Sequence, residues 1–514
     1  MNNHLKILLI NPEIPNTFWS LKNALKFVSR KALLPPLGLL TVAAMLPDSF
    51  EKKLIDMNTN ALRDRHIKWA DYVFISAMVI QKNSARAVVE RCNKFKVKVV
   101  AGGPLFTSFP EMIPNIDHLV LNEAEITLPD FLKDLANNSA KPLYKTDQKA
   151  DMRNSPAPLW KLINMNKYGM MGLQYSRGCP FDCDFCDVTN LLGRKVRTKT
   201  TSQIIDELES LYVHKWRGEV FFVDDNFIGK RRRLKNELLP AIIDWMHKRN
   251  HPFAFNTQTS IDLVDDEELM TLMAKAGFDS VFIGIESPND SSLAECSKTQ
   301  NIGRDLVAAV KKIQRFGMQV QAGFIVGFDN DKPNVFDKLI NLIQDSGIVT
   351  AMVGLLNAPR GTKLYQKLKS ENRLAEQPTG DNMDCTINFI PKMDIHELMG
   401  GYLKVLNTIY SQKYFCRRIK TFLENYNFNN KKKFRVGYRD LEAFFRAMWR
   451  IGVIEKGNLH YWALIIWSFR DFRRVPLAVR YSIFGFHFRK ILKNAHTQMK
   501  SLAAASAAEC KTQT

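Results

Sequence analysis

The chain has 514 residues, 46% hydrophobic and 24% charged, with a formal net charge of +21, a size and balance that fit two to four globular domains. Eight cysteines in this length are too sparse for a disulfide scaffold and fit a reducing compartment; Met1 to Pro12 does not read as a signal peptide, and no uninterrupted apolar run reaches the length that spans a bilayer as a helix. The basic balance fits nucleic acid, an anionic membrane surface or neither, and its position along the chain matters more than its sum.

In chain order, residues 6–11 (KILLIN) read as a fully buried strand. Pro35 and Pro36 open an apolar helix through Leu46, placed where a first turn tolerates proline. Strands are expected at 53–57, 72–76, 97–101 and 118–121, and helices at 84–95 and 125–135. Such alternation predicts a doubly wound parallel sheet, which binds ligands at the carboxyl ends of its strands. Those ends carry Asn11, Asp56, Ser76, Met78 and Gly102-Gly103-Pro104. The glycines allow a close backbone approach to a ligand, although ordinary tight turns use the same residues. The polar, proline-marked residues after 136 mark a linker, placed at 141–165.

Strand–helix alternation then restarts. Strands are expected at 172–176, 219–223, 253–256, 280–284, 320–326 and 350–355, giving a partial barrel of six βα units with its chemistry at the strands' carboxyl ends. The first strand runs into a glycine turn and then Cys179, Cys183 and Cys186, spaced C-x3-C-x2-C. Thiolates are the usual ligands of iron–sulfur clusters, and three without a local fourth leave one iron open. A structural zinc centre would need a second ligand pair, which the sequence lacks. Cys92, Cys296, Cys385, Cys416 and Cys510 are scattered and read as buried spare thiols of a reducing compartment. The later strand ends carry Asp224-Asp225-Asn226-Phe227, Gln258, Ser260, Glu286, Gly327 and Asn357. Singly, each could be a turn or cap residue; their recurrence after successive strands argues for a site.

Beyond residue 390 the character changes. Residues 431–500 hold sixteen Lys and Arg against four Asp and Glu, interleaved with aromatics such as Phe445, Trp449, Trp462, Phe469 and Phe472. Basic aromatic helices can lie in a lipid interface, and nucleic-acid binding uses the same residue types. The plain alternative is a helical domain with an aromatic core and a solvated basic face. Residues 497–514, rich in Ala, Ser, Lys and Thr, read as a disordered tail.

The cysteine spacing, with Phe185 before the last cysteine, resembles the signature of radical S-adenosylmethionine (SAM) enzymes. The resemblance implies that Cys179, Cys183 and Cys186 hold a 4Fe–4S cluster whose open iron chelates SAM, with Phe185 near the adenine. It places Asp224 and Asp225 where the wider family has a Gly-Gly-Glu stretch near the methionine amine. Ser260, Glu286 and Gly327 become further SAM-side residues. A Rossmann-like domain ahead of the barrel resembles the cobalamin-binding subgroup. Gly102-Gly103-Pro104 and Glu123-Ala124-Glu125 look like its cobalamin-side loops, joined by Asn11, Asp56, Ser76 and Met78, with Asn122 where the subgroup usually has glycine. The D-x-H-x-x-G motif of other cobalamin proteins is only begun by Asp64-Arg65-His66, since Trp69 replaces its glycine. His66 therefore reads as a surface helix residue, and the resemblance implies cobalamin without a lower His ligand.

The fold expected is α/β: a Rossmann-like doubly wound cobalamin-type sheet (1–140), a linker (141–165), a partial (β/α)6 radical SAM barrel (166–390), a mainly helical, basic, aromatic-rich domain (391–496) and a tail (497–514). The nearest resemblance is to cobalamin-type radical methylases, including those acting on hopanoid lipids. It implies a deoxyadenosyl radical that abstracts hydrogen from an unactivated carbon, a methyl group delivered by cobalamin, and no protein general base. The cofactors expected are the 4Fe–4S cluster, SAM and cobalamin. The partners expected are a hydrophobic or lipid substrate, an electron donor such as flavodoxin or ferredoxin, and the inner face of the membrane, touched by a cytoplasmic protein through its C-terminal domain. Radical ring closure without methyl transfer, an RNA-modifying enzyme and a non-catalytic cobalamin carrier are the alternatives. No RNA-binding module is recognisable, and a carrier has no use for a reducible cluster.

Overall fold

The computed structural model describes residues 4–375, 379–381, 383–428 and 437–512, with backbone alone for 438–440 and 494–512. The KILLIN run forms β1 (Lys6–Asn11), whose Ile7, Leu8, Leu9 and Ile10 are all buried. Alternate residues serve two cores, Ile7 and Leu9 on one face and Leu8 and Ile10 on the other, as the two-residue period of a strand requires. With β2 (Glu51–Asp56), β3 (Tyr72–Ser76), β4 (Lys98–Gly102), β5 (His118–Val120) and β6 (Leu143–Tyr144), it builds a parallel sheet ordered β2-β1-β3-β4-β5-β6. Strand order reverses between β1 and β3, the switch point where doubly wound sheets open a crevice. The sixth strand lies inside the stretch expected as linker. It is two residues long, too short for periodicity to reveal.

The second sheet contains β7 (Met170–Leu173), β10 (Gly218–Phe222), β11 (Phe253–Thr259), β12 (Phe278–Glu286), β13 (Gln319–Val326) and β14 (Ala351–Leu355). It is parallel throughout, in the order β14-β13-β12-β11-β10-β7. This is the expected six-stranded partial barrel, with one local difference. The strand expected at 172–176 is broken at Gln174 and Tyr175, and β8 (Ser176–Arg177) leaves the sheet to pair antiparallel with β9 (Arg197–Thr198).

The C-terminal region is helical: Ile395–Tyr410, Gln412–Asn425, Tyr438–Trp449, Asn458–Ser468 and Val475–Thr512. The first of these closes the open edge of the barrel. Tyr402 Oη donates to the Val353 carbonyl at 3.1 Å, and Tyr410 Oη donates to that of Ala351. The aromatic residues divide between the two expected uses: Tyr461, Tyr481, Phe486 and Phe488 are core, whereas Phe445, Trp449, Phe469 and Phe472 are exposed. The last helix runs on to Thr512 where a disordered tail was expected; its alanine-rich sequence carries high helix propensity. Residues 513–514, and Lys431, Lys432, Lys433 and Arg435 of the basic stretch, lie outside the described residues.

The chain's beginning is tied to its end. Phe18 stacks on Phe488 with ring centroids 4.1 Å apart, and Trp19 packs edge-on against Phe282 of β12. His487 Nε2 lies 3.0 Å from the Phe18 carbonyl and 3.2 Å from that of Thr17, while Nδ1 faces the Asn23 amide nitrogen at 3.2 Å. That set suits a neutral ring that donates from Nε2 and accepts at Nδ1. Burial pushes its pKa from 6.5 down to about 4.

Two adjacent glycines in the helix Ile395–Tyr410 give opposite expectations. A Cβ on Gly400 meets nothing within 4 Å, whereas one on Gly401 would fall 2.1 Å from the buried Phe336 ring. Gly400→Ala should therefore stabilise the protein by up to about 1 kcal/mol, and Gly401→Ala should destabilise it by about 1–3 kcal/mol, read from thermal midpoints. His487 adds a pH dependence: unfolded, it binds a proton that the folded state refuses. Its contribution is present above pH 6.5 and is lost as pH falls towards 4. His487→Gln should flatten that part of the stability profile.

Candidate cofactor site between the two sheets

Gly178 turns the chain out of β8 with φ +94°, and a Cβ there would sit 2.8 Å from the Gly193 carbonyl oxygen. The loop that follows is pinned by its backbone: Cys179 N donates to Gly193 O at 3.3 Å, Cys186 N to Cys183 O at 3.0 Å, and Asp184 N to Cys296 O at 3.1 Å. Cys179, Cys183 and Cys186 are free and only partly buried. Burial raises all three thiols, Cys186 to about 12. Among the described residues no three His, Cys, Asp or Glu side chains converge as ligands of a single ion. A closed zinc centre needs that convergence. Three free, part-exposed thiols on one pinned loop are the donor type that an iron–sulfur cluster takes, each thiolate on a different iron.

Asp224, expected on the SAM side, is engaged by the protein's own backbone and Ser176. It is fully buried, and both its oxygens are taken: Oδ2 accepts from Tyr175 N at 3.1 Å, and Oδ1 from Ser176 Oγ at 2.5 Å and from Ser176 N. Burial pushes its pKa up to about 7 despite those donors. It holds the strand exit that delivers Gly178 and Cys179, and it is fully buried and absent from the lining of the cavity between the two sheets. Asp225 keeps an oxygen free. Its Oδ2 is buried without a partner, and burial, with Asp187 second, pushes its pKa up to about 6. Asn226 donates to Ser260 Oγ at 3.2 Å and keeps an unpartnered buried Oδ1. Phe227, fully buried between Tyr175, Phe222 and Phe278, is core.

Glu286 sits at φ +66° where the β12–β13 register shifts, a bulge that re-aims the side chain at a strand end. It pairs with Lys298 at 2.8 Å, both nearly buried. Gly284 leaves room for the pair, since its Cβ would fall 2.2 Å from Glu286 Oε1. Burial works against the Lys298 charge, but Glu286, with smaller contributions from Cys183 and Cys186, outweighs it and raises its pKa. Lys298 therefore supplies a fixed cation beside the cysteine loop, which no spacing in the sequence announces. Gly327, at φ +103°, donates from its N to Asp331 Oδ2 at 2.9 Å. Phe185 packs on the apolar cluster of Cys296, Phe328 and Leu356.

A cavity of about 910 Å³ opens between the carboxyl ends of the two sheets, within the usual range for small-molecule and cofactor sites. Ser76, Met78, Gly102, Gly103, Pro104 and Glu123 line it from the first sheet; Arg177, Asp187, Val188 and Asp225 line it from the second. Asn11 and Asp56 do not. Asn11 donates to Asp56 at 2.9 Å, and Asp56 also accepts from Tyr168 Oη at 2.9 Å, so the pair braces the strand ends outside the cavity wall. The glycines answer first to the protein's own packing. A Cβ on Gly102 would fall 2.6 Å from Val120 O, and one on Gly103, at φ +86°, 2.4 Å from Ser76 Oγ. Asn122 adopts φ +65°, the left-handed region where glycine is at home and asparagine is tolerated. Asn122 Oδ1 and Glu123 Oε1 are buried at the cavity without hydrogen-bond partners. The peripheral carboxamides of cobalamin supply N–H donors of the kind those oxygens lack, so the residues fit that group. His66 lies on the helix Asp64–Trp69 before β3, away from this wall, as a surface residue should.

Four charges join the two halves of the cavity. Arg177, one residue before the glycine turn, donates to Glu123 Oε2 at 2.8 Å and to both Glu125 oxygens at 2.8 and 2.9 Å. Arg197 of β9 donates to the same Glu123 oxygen at 2.8 Å. The carboxylates are 3% and 4% exposed and both guanidiniums 14%. Burial would raise Glu125, but Arg177 overrides it and holds the carboxyl below its usual range.

Comparison with known proteins bears on this arrangement. Residues 173–343 match the radical SAM superfamily, residues 27–132 the B12 binding domain, and residues 362–501 a domain of unknown function, DUF4070. The chain is 38% identical over 463 residues to an uncharacterised methyltransferase of Synechocystis sp., covering 89% of this chain and 86% of that one. It is 32% identical over 390 residues to the hopanoid C-2 methylase of Rhodopseudomonas palustris, covering 75% and 73%. The chain belongs to the cobalamin-dependent radical SAM methylase family. This radical SAM enzyme shares its fold with OxsB, solved with aqua-cobalamin and SAM bound (TM-score 0.62, 15% identity, 97% of this chain and 80% of that one). TsrM from Kitasatospora setae, solved with cobalamin and a [4Fe-4S] cluster, is a second such fold (TM-score 0.55, 15% identity, 73% and 80%). Family membership makes a 4Fe–4S cluster, SAM and cobalamin the methylase's cofactors.

Removing one member of a buried ion pair costs about 3–5 kcal/mol. Glu123→Gln should accordingly loosen the contact between the sheets, seen as faster protease cleavage near residues 141–165 and weaker corrinoid retention on gel filtration. Cluster iron per chain should change little.

Proposed function

We propose that this methylase transfers a methyl group to an unactivated carbon of a hydrophobic, lipid-class substrate. The observation that carries the reading is the shared cavity, in which Gly102, Gly103, Pro104 and Glu123 of the first sheet face Arg177, Asp187, Val188 and Asp225 of the second; Cys179, Cys183, Cys186, Phe185, Ser260, Glu286 and Gly327 stand outside its lining. When bound, cluster and SAM supply a deoxyadenosyl radical and cobalamin supplies the methyl group. Cys179, Cys183 and Cys186 would hold the cluster. Asp225, Ser260, Glu286, Gly327 and Phe185 would form the SAM side, with Lys298 fixing Glu286. Gly102, Gly103, Pro104 and Glu123, with Ser76 and Met78, would form the cobalamin side. Asp224, Asn11 and Asp56 act by positioning.

Apolar side chains, among them Leu37, Val42, Met45, Val79, Ile80 and Leu191, make up much of the remaining wall. They exclude water and give an apolar molecule more to bind than a charged one. The 32% identity to a hopanoid methylase supports the same substrate class. The electron would come from a small donor such as flavodoxin or ferredoxin. Ring closure without methyl transfer is the second reading, favoured by the 24% identity to the anaerobic magnesium-protoporphyrin IX monomethyl ester cyclase of Synechocystis sp..

Anaerobic turnover with apolar lipid extracts should give a product heavier by one methylene unit, carrying label from methyl-labelled SAM. A product of unchanged methyl count would move the assignment to the cyclase reading. The Cys179→Ala/Cys183→Ala/Cys186→Ala protein should keep its fold, lose the brown iron–sulfur absorbance and form no deoxyadenosine.

A further inference from the structure

We propose that the face of the C-terminal domain between Leu441 and Phe472 is a docking surface for an anionic lipid bilayer. Among the described residues sixteen large hydrophobic side chains are exposed, and nine of them fall in this short stretch. Such a concentration is unlike the scattered apolar residues of an ordinary surface.

The helix Tyr438–Trp449 continues through Arg450–Ile454. On its buried side are Ala443, Ala447 and Ile451, at 7%, 0% and 1% exposure. Leu441, Phe445, Trp449 and Val453 repeat every four residues on the opposite side, from 48% to 64% exposed. This is a continuous outward stripe on an anchored helix. At the end of the stripe Ile454 and Leu459, the latter 79% exposed, extend it onto the next helix, which is tied back by Trp462 Nε1 donating to Gly452 O at 2.9 Å. Ile466, Phe469 and Phe472 continue the exposed apolar character along that helix and the turn after it.

Cations accompany these side chains. Arg450, Lys456 and Arg470 are exposed and, among the described residues, form no ion pair. Aromatic and aliphatic residues beside lysine and arginine match the interfacial zone of a bilayer, apolar just below an anionic headgroup layer. Glu442, Glu455 and Asp471 of this stretch are each paired with an arginine, so the charges left unpaired are cationic and favour an anionic surface over a second copy of the same face. No described helix is long and apolar enough to cross a membrane, so the contact is peripheral. The proposal stands apart from the substrate reading, since it concerns a surface outside the cavity and is tested without turnover.

The test is flotation of the full-length protein with vesicles of mixed phosphatidylglycerol and phosphatidylcholine, and with phosphatidylcholine alone. The variants are Phe445→Ser/Trp449→Ser and, as an exposed apolar control elsewhere, Val213→Ser. The wild type and control should float with the anionic vesicles and much less with the neutral ones, and the double variant should float about tenfold less. Raised salt should weaken the wild-type interaction. A wild type that stays at the bottom with both vesicles, or a double variant that floats as well as wild type, overturns the proposal. A wild type that sediments as a dimer while the double variant is a monomer also overturns it, by assigning the face to a second copy. Circular dichroism of the double variant, expected to match wild type, separates lost docking from lost folding.

Discussion

Two carboxylates at the end of one sheet and two guanidiniums at the start of the next meet in a space that water barely reaches. Glu123 and Glu125 belong to the cobalamin-type domain, and Arg177 and Arg197 to the strand pair that introduces the cysteine loop. Burying four charges is expensive, and an apolar contact of the same shape could hold the domains as firmly. What an apolar contact lacks is direction. The fork of Arg177 takes both oxygens of Glu125 and one of Glu123, which fixes orientation as well as distance. Arg177 is also covalently next to Gly178 and Cys179. The loop proposed for the cluster and the loop proposed for cobalamin are thus registered by one side chain, and the cavity between them inherits its width.

A second layer of support stands behind that registration. Asp224 ties down Tyr175 and Ser176, so the strand breaks where the cysteine loop must begin. The bulge at Gly284 and Glu286 turns a carboxylate inward, and Lys298 holds it there. These residues act on others rather than on a ligand. They spend burial and backbone freedom to keep a loop of three thiols open yet fixed.

Much of this was legible in the sequence, for identifiable reasons. Long apolar strands with helices between them declare their period, so eleven strands of the two large sheets were foreseen, all but the two-residue β6. The cysteine triplet is local, and locality is what spacing encodes. Motifs around strand ends located the cavity wall at Gly102, Gly103 and Glu123 and at Asp225. The same reasoning could not separate wall from brace: Asn11, Asp56 and Asp224 stand at equally suitable strand ends but point into hydrogen-bond networks. Arg197 and Lys298 were missed because their partners lie 74 and 12 residues away, and nothing in the intervening sequence marks either pair. The departure at Asn122 was visible, and its φ explains why it is tolerated.

The lock between Phe18 and the final helix bears on how the protein is made. His487 and Thr17 are 470 residues apart in sequence, so a ribosome adding about 5–20 residues per second needs roughly half a minute to a minute and a half to supply the second after the first. Through that interval Phe18 lacks the Phe488 ring it stacks on, whereas the barrel residue Phe282 that Trp19 meets has already been made, so the Phe18 contact can close only once the last part of the chain is supplied.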